Sequence, residues 1–158
     1  MANQSCSNRH PSDYVLYARV LPLVFWMAWM YFASTRALSA DNTSPILRYI
    51  FTHLFHSHDE NLFLKFQFIV RKLAHFTEYA ILALLSARFF LMSKSGRVRE
   101  AWFYGAVALV MSYALLDEFH QSFVPVRTAS IRDSMIDIVG GIFALSLLWF
   151  WRKVLRPR

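Results

Sequence analysis

One cysteine, four glycines and five prolines in 158 residues remove several function classes at once. Cys6 alone permits no internal disulfide and no cysteine-based metal cluster, and it sits in a polar tail where no role is expected of it. No glycine-rich phosphate loop occurs, so a nucleotide fold is not expected. Acids are scarce as well: Asp and Glu number 10 against 17 Lys and Arg, a net charge of +7. Such an excess points to nucleic acid where basic residues form a stripe interleaved with aromatics. Here they flank apolar runs, and nucleic acid is not an expected partner. Charge is missing over long distances too. Residues 101–116 carry none, and residues 135–151 carry Asp137 alone.

Apolar residues make up 56% of the chain, concentrated in runs that reach membrane-spanning length with their flanks. A hydrocarbon core of about 30 Å takes roughly 17–25 helical residues to cross. The expected fold is therefore all-α, a polytopic membrane helical bundle of about four transmembrane helices, near residues 14–33, 73–92, 101–116 and 134–151. One domain, residues 14–151, lies between a polar tail, 1–13, and a basic tail, 152–158. Arg19, near the start of the first run, is long enough to snorkel to the headgroups. A cleaved signal peptide ending near Ala37-Leu38-Ser39 is the rival for that run, but Trp26, Trp29, Tyr31 and Phe32 are bulky for a signal core. A retained anchor is the better reading. Ser44-Pro45 has the form of a helix start, and Ile46, Leu47, Ile50, Phe51, Leu54 and Phe55 then recur at helical spacing. That predicts a helix lying along the interface within a long first outer loop.

Basic residues set the orientation. Arg9, Arg19, Arg88, Lys94, Arg97, Arg99, Arg152, Lys153, Arg156 and Arg158 fall on one side, and the rest are spread over longer connections. The positive-inside tendency puts both termini in the cytoplasm. The start of crossing two, the end of crossing three and the start of crossing four then share the outer side. Those places hold Lys72, His75, Glu78 and Tyr79; Asp117, Glu118, His120 and Gln121; and Arg127, Asp133 and Asp137. Ionisable groups in or beside a span are costly and tend to be paired or functional. These residues are the candidate polar site.

Helical spacing puts His75 with Glu78, Asp117 with His120, and Asp133 with Asp137 on shared faces. Asp117 and Glu118 oppose the helix dipole and call for a positive partner, whereas Asp133 is favoured at a helix N-terminus. The plain alternative is a salt-bridge network that locks the bundle. His53, His56, His58, Asp59 and Glu60 match a metal-ligand set in composition, though solvated loop histidines are the commoner outcome. Gly140-Gly141 suits close helix packing.

Residues 72–79, KLAHFTEY, then 117–137, DEFHQSFVPVRTASIRDSMID, then Gly140-Gly141, resemble the VanZ-like family of small bacterial membrane proteins. The resemblance takes in Phe32-Ala33-Ser34 and covers about residues 20–150. Val126 stands where the family usually has Gly, which leaves the turn at Pro125 less free to adopt a left-handed conformation. The resemblance implies a multi-pass protein of the bacterial inner (cytoplasmic) membrane, in a family whose namesake is associated with low-level resistance to the glycopeptide teicoplanin. It implies no settled reaction. The leading expectation is a protein in the lipid bilayer that binds, or alters access to, an envelope ligand such as a lipid-linked cell-wall precursor or a glycopeptide. Lys72 and Arg127 would hold its phosphate or carboxylate. An enzyme is the alternative, with the acids and two histidines as acid–base pairs or as ligands for a divalent metal; no other cofactor is expected. A purely structural or partner role is the third reading.

Overall fold

The computed structural model describes residues 11–35, 40–123 and 131–155, and the described residues are helical throughout apart from short turns. Six α-helices run in order: α1 (Pro11–Ser34), α2 (Ala40–Phe55), α3 (Glu60–Leu91), α4 (Gly96–Glu100), α5 (Trp102–Gln121) and α6 (Ile131–Phe150). A π-helical turn, Trp151–Leu155, continues α6. The central element is α3, packed most extensively against α6 and then against α5 and α1.

Two helix starts differ in kind from the sequence reading, while α1 begins at Pro11 and α5 runs on to Gln121. The helix expected to start at Ser44-Pro45 begins at Ala40, so Pro45 lies inside it rather than at its first position. The second large helix begins at Glu60, well before Leu73, so much of the expected outer loop is regular helix. Its start is set by Asp59, whose carboxylate accepts from the backbone of Asn61 at 2.9 Å and Leu62 at 3.3 Å. Those bonds satisfy donors that a helix start leaves open. Between the two helices the chain reverses at His56, which has φ 49° and donates its backbone N–H to the Thr52 carbonyl at 3.0 Å. That left-handed position ends α2 as a glycine would elsewhere.

The reversal makes a helical hairpin with its own aromatic core. Phe51 is 1% exposed, with ring centroids 5.2 Å from Phe55, 5.7 Å from Phe63 and 5.4 Å from Phe66. Arg48 adds two hydrogen bonds to Glu60, at 2.7 and 2.8 Å, and lies 4.1 Å over the Phe63 ring. The bond from Arg48 holds the Glu60 carboxyl below its ordinary range. Its contribution is present above the ordinary carboxylate pKa and lost as pH falls through the lowered one. Both groups are open to solvent, so screening keeps that contribution small. Phe51→Ala, by contrast, should cost about 3–5 kcal/mol of hairpin stability. Hydrogen exchange over residues 43–55 should accelerate strongly in Phe51→Ala and little in Arg48→Ala; equal acceleration would assign the docking to the ion pair.

The bundle core mixes large side chains, among them Tyr79, Leu82, Val110 and Leu145, with small ones at the helix contacts. Ala83, Ala87, Ala106, Ala114 and Ala144 are buried between helices, and Gly140 and Gly141 let α6 approach α3 and α5 closely. Many large apolar side chains point outward as well, among them Phe25 at 70% exposure and Tyr104 at 78%. Polar side chains tie α1 on: Trp26 Nε1 donates to the Glu78 carbonyl at 3.0 Å, and the Tyr113 hydroxyl donates to the Met27 carbonyl at 2.6 Å. Near the other end the Arg19 guanidinium lies 4.5 Å over the Phe89 ring. Among the described residues, one helical stretch, Met135–Val154, is long and apolar enough by itself to cross a membrane, with mean hydropathy 1.5. In α3 the apolar run is broken by His75, Glu78 and Arg88, and in α5 by Asp117 and Glu118.

Candidate functional site

His75 and Glu78 of α3, Asp117 of α5 and Asp137 of α6 lie toward one end of the bundle, beside the end of α1. His75 stands between two carboxylates: its Nδ1 is 3.6 Å from Glu78 Oε2 and 3.9 Å from Asp137 Oδ1. The first distance is the expected one-turn pairing on α3. The second joins α3 to α6, where Asp137 is 3% exposed. Ion pairs form here when the imidazole is protonated. Asp137 lies close to the backbone contact between Gly140 and Phe76, so the close approach of these helices also brings the carboxylate to the ring.

Asp117 is 9% exposed and pairs along α5 in an unexpected way. Its Oδ2 accepts from Gln121 Nε2 at 2.8 Å, and the same amide donates to Ser34 Oγ on α1 at 3.1 Å. His120 is not its partner. That ring packs against Tyr31 at 4.5 Å, and its Nε2 is buried without a hydrogen-bond partner among the described residues. Tyr79 is fully buried, close enough to Asp117 and Asp137 to feel their charge, and its hydroxyl also lacks a hydrogen-bond partner among the described residues. Glu118 is half-buried in the last turns of α5.

A partly open cavity of about 290 Å³ adjoins this cluster. Met30, Ala33, Ile46, Leu47, Val70 and Ala74 give it apolar walls, while Arg71, His75, Glu78 and Asp117 supply its charge. Among the described residues Arg71, not Lys72, brings a guanidinium to the cavity; Lys72 places its ammonium 5.4 Å from the Phe68 ring centroid. Arg127 lies outside the described residues, as do Pro125 and Val126. Asp133 falls in the first turn of α6, where an acid is locally favoured, and its side chain is likewise outside the description.

Helical spacing missed Arg71, Trp26, Thr43 and the α2 side chains on the cavity wall, and did not place Ser34 at the site although Phe32-Ala33-Ser34 belongs to the family resemblance. Their signal is tertiary, since packing brings α1 and α2 to the site and sets which side of α3 faces the cavity. Among the described residues no three His, Cys, Asp or Glu side chains gather in a geometry able to hold a metal ion. In the hairpin His53 stacks on Tyr49 at 4.3 Å, His56 forms the reversal and Asp59 caps α3. Their roles there are local and structural.

A family model described as VanZ/LLP1 matches residues 19–152. Comparison with curated proteins and with solved structures returned no match.

Proposed function

The chain belongs to the VanZ/LLP1 family, and from that premise we propose that it is a multi-pass protein of the bacterial cell membrane that binds, or alters access to, an envelope ligand at an outward-facing polar site. The observation that carries this reading is the convergence of His75, Glu78, Asp117 and Asp137 from three helices beside one cavity. Burying that many ionisable groups against apolar walls is costly unless they are paired or used.

Four crossings, by α1, α3, α5 and α6, are supported by the outward-facing Leu21, Phe25, Leu84, Tyr104, Leu115, Val139 and Leu147. Apolar surface of this kind is unfavourable in water and suits lipid. Small residues at the helix contacts fit the same solvent. The 32 residues of α3 reach about 48 Å at roughly 1.5 Å each, against about 30 Å of hydrocarbon. Its first turns therefore project beyond the core, and α2 pairs with that projecting part. The basic ends of α1, α3, α4 and α6 face the cytoplasm, and the site lies near the outer surface.

The test has a topology arm and a function arm. With Cys6 replaced, a cysteine at His58 should label from outside in intact cells and one at Lys94 should not. Labelling of both from one side would end the outward-facing reading. In a host without an outer membrane, the full chain should lower teicoplanin sensitivity, and Asp117→Asn should abolish the effect at normal abundance. Loss of abundance in step with the phenotype would favour a packing role instead. His75 between two carboxylates favours a second reading, acid–base chemistry on a lipid-linked substrate. Conversion of such a substrate by purified protein, lost in His75→Gln, would select it.

A further inference from the structure

The charge on the cavity wall differs from the anion clamp expected from Lys72 and Arg127. Among the described residues, two carboxylates, Glu78 and Asp117, line the space with one guanidinium, Arg71, and one imidazole, His75. A head carrying phosphate alone would meet both carboxylates, and like-charge contact of that kind is a strong rejection device. A head carrying ammonium alone would meet Arg71. A zwitterion satisfies both ends.

Volume decides between the remaining candidates. About 290 Å³ is at the lower edge of the roughly 300–1,000 Å³ usual for small-ligand pockets. It admits a headgroup with a short length of anchor and excludes a whole glycopeptide. Position supplies the rest. Ile46 and Leu47 of α2 wall the cavity, and Ile46, Ile50 and Leu54 lie exposed along the same face of the helix. One exposed apolar face at this level suits the boundary between headgroups and acyl chains. Arg71 and Glu78 are seven residues apart on α3, two turns, and face the same space.

We propose that the cavity takes the head of an aminophospholipid, entering sideways from the outer leaflet, with its primary ammonium on Glu78 and Asp117 and its phosphate on Arg71. The first methylenes of the anchor lie against Met30, Ile46, Leu47 and Val70. This rests on the outward-facing site described above and names its ligand. A primary ammonium brings N–H donors to carboxylates that accept charge-assisted hydrogen bonds. A quaternary ammonium has the same charge and no such donor.

The test is native mass spectrometry of the full chain in detergent, titrated with short-chain phosphatidylethanolamine, phosphatidylcholine and phosphatidylglycerol. Phosphatidylethanolamine should bind about tenfold more tightly than phosphatidylcholine, the factor that one charge-assisted hydrogen bond carries. Asp117→Asn, which keeps shape and a carbonyl acceptor, and the more exposed Glu78→Gln should each erase most of that preference. Arg71→Gln should weaken both zwitterionic lipids together. Equal binding of the two zwitterions in the unaltered chain overturns the ammonium assignment. Preferred binding of phosphatidylglycerol, still dependent on Asp117, overturns it too but leaves the site standing. Binding of all three that ignores every substitution, with variants of unchanged thermal stability, removes the assignment and the site together.

Discussion

Gly140→Ala should lower abundance and thermal stability more than alanine at any other glycine of this chain. A Cβ at Gly140 would sit 2.7 Å from the Phe76 carbonyl oxygen and 3.1 Å from its Cα. Backbone atoms of a neighbouring helix cannot step aside as a side chain can, so α3 and α6 must separate. Overpacking costs typically about 1–3 kcal/mol and sometimes more, and here it also pulls Asp137 away from His75. Gly141→Ala is the internal control. Its added Cβ would meet Val110 Cγ1 at 2.7 Å, an obstacle that Val110→Ala removes. Rescue of Gly141→Ala by Val110→Ala, with no rescue of Gly140→Ala by Phe76→Ala, is the expected pattern. It is read as the melting temperature of purified protein in one detergent. Recovery of Gly140→Ala by the Phe76 change would mean that the ring, not the backbone, sets the approach.

Asp137→Ala should be the most damaging change to the polar cluster itself. Removing one partner of a buried pair costs about 3–5 kcal/mol where the other charge is left uncompensated. The imidazole of His75 retains Glu78 at 3.6 Å, which brings the expectation toward the lower figure. The decisive quantity is the coupling. If His75 and Asp137 act on each other, the double replacement by alanine should cost clearly less than the sum of the single ones. Glu78→Gln should cost less than Asp137→Ala, because its side chain is 27% exposed against 5% for Asp137. Reversible unfolding in mixed micelles supplies the three free energies. Strict additivity would make the 3.9 Å separation a coincidence of packing.

Helical spacing predicts faces better than partners. His75 and Glu78, three apart on one helix, meet as periodicity requires. Asp117 and His120 have the same spacing and do not meet, because Gln121 reaches the carboxylate from the next position and Tyr31 of α1 captures the ring. Helical periodicity places side chains on a face; which neighbour wins depends on the helix opposite. The prominence of Lys72 over Arg71 has the same origin. Adjacent residues on a helix point about 100° apart, and no local rule says which side the cavity occupies.

Boundaries were lost for a related reason. Ser44-Pro45 is a sound helix start in isolation, yet the helix begins at Ala40, and α3 runs back to Glu60 through a segment in which Asn61, Lys65, Gln67, Arg71 and Lys72 interrupt the apolar residues. The Phe51, Phe55, Phe63 and Phe66 cluster rewards helical pairing across the His56 reversal, and that gain exists only once both helices are present.

By itself the sequence determined an all-helical chain, its family, the place of its ionisable residues along each helix and a glycine pair suited to close helix packing. Those properties are local: they follow from periodicity, charge placement and motif. Tertiary packing alone decided that Asp137 stands beside His75, that Gln121 bridges Asp117 to Ser34, and that Arg71 and α2 wall the cavity. Each depends on how helices far apart in sequence are rotated about their axes, and that angle is fixed by the fit of small residues against backbone and is written in no single segment.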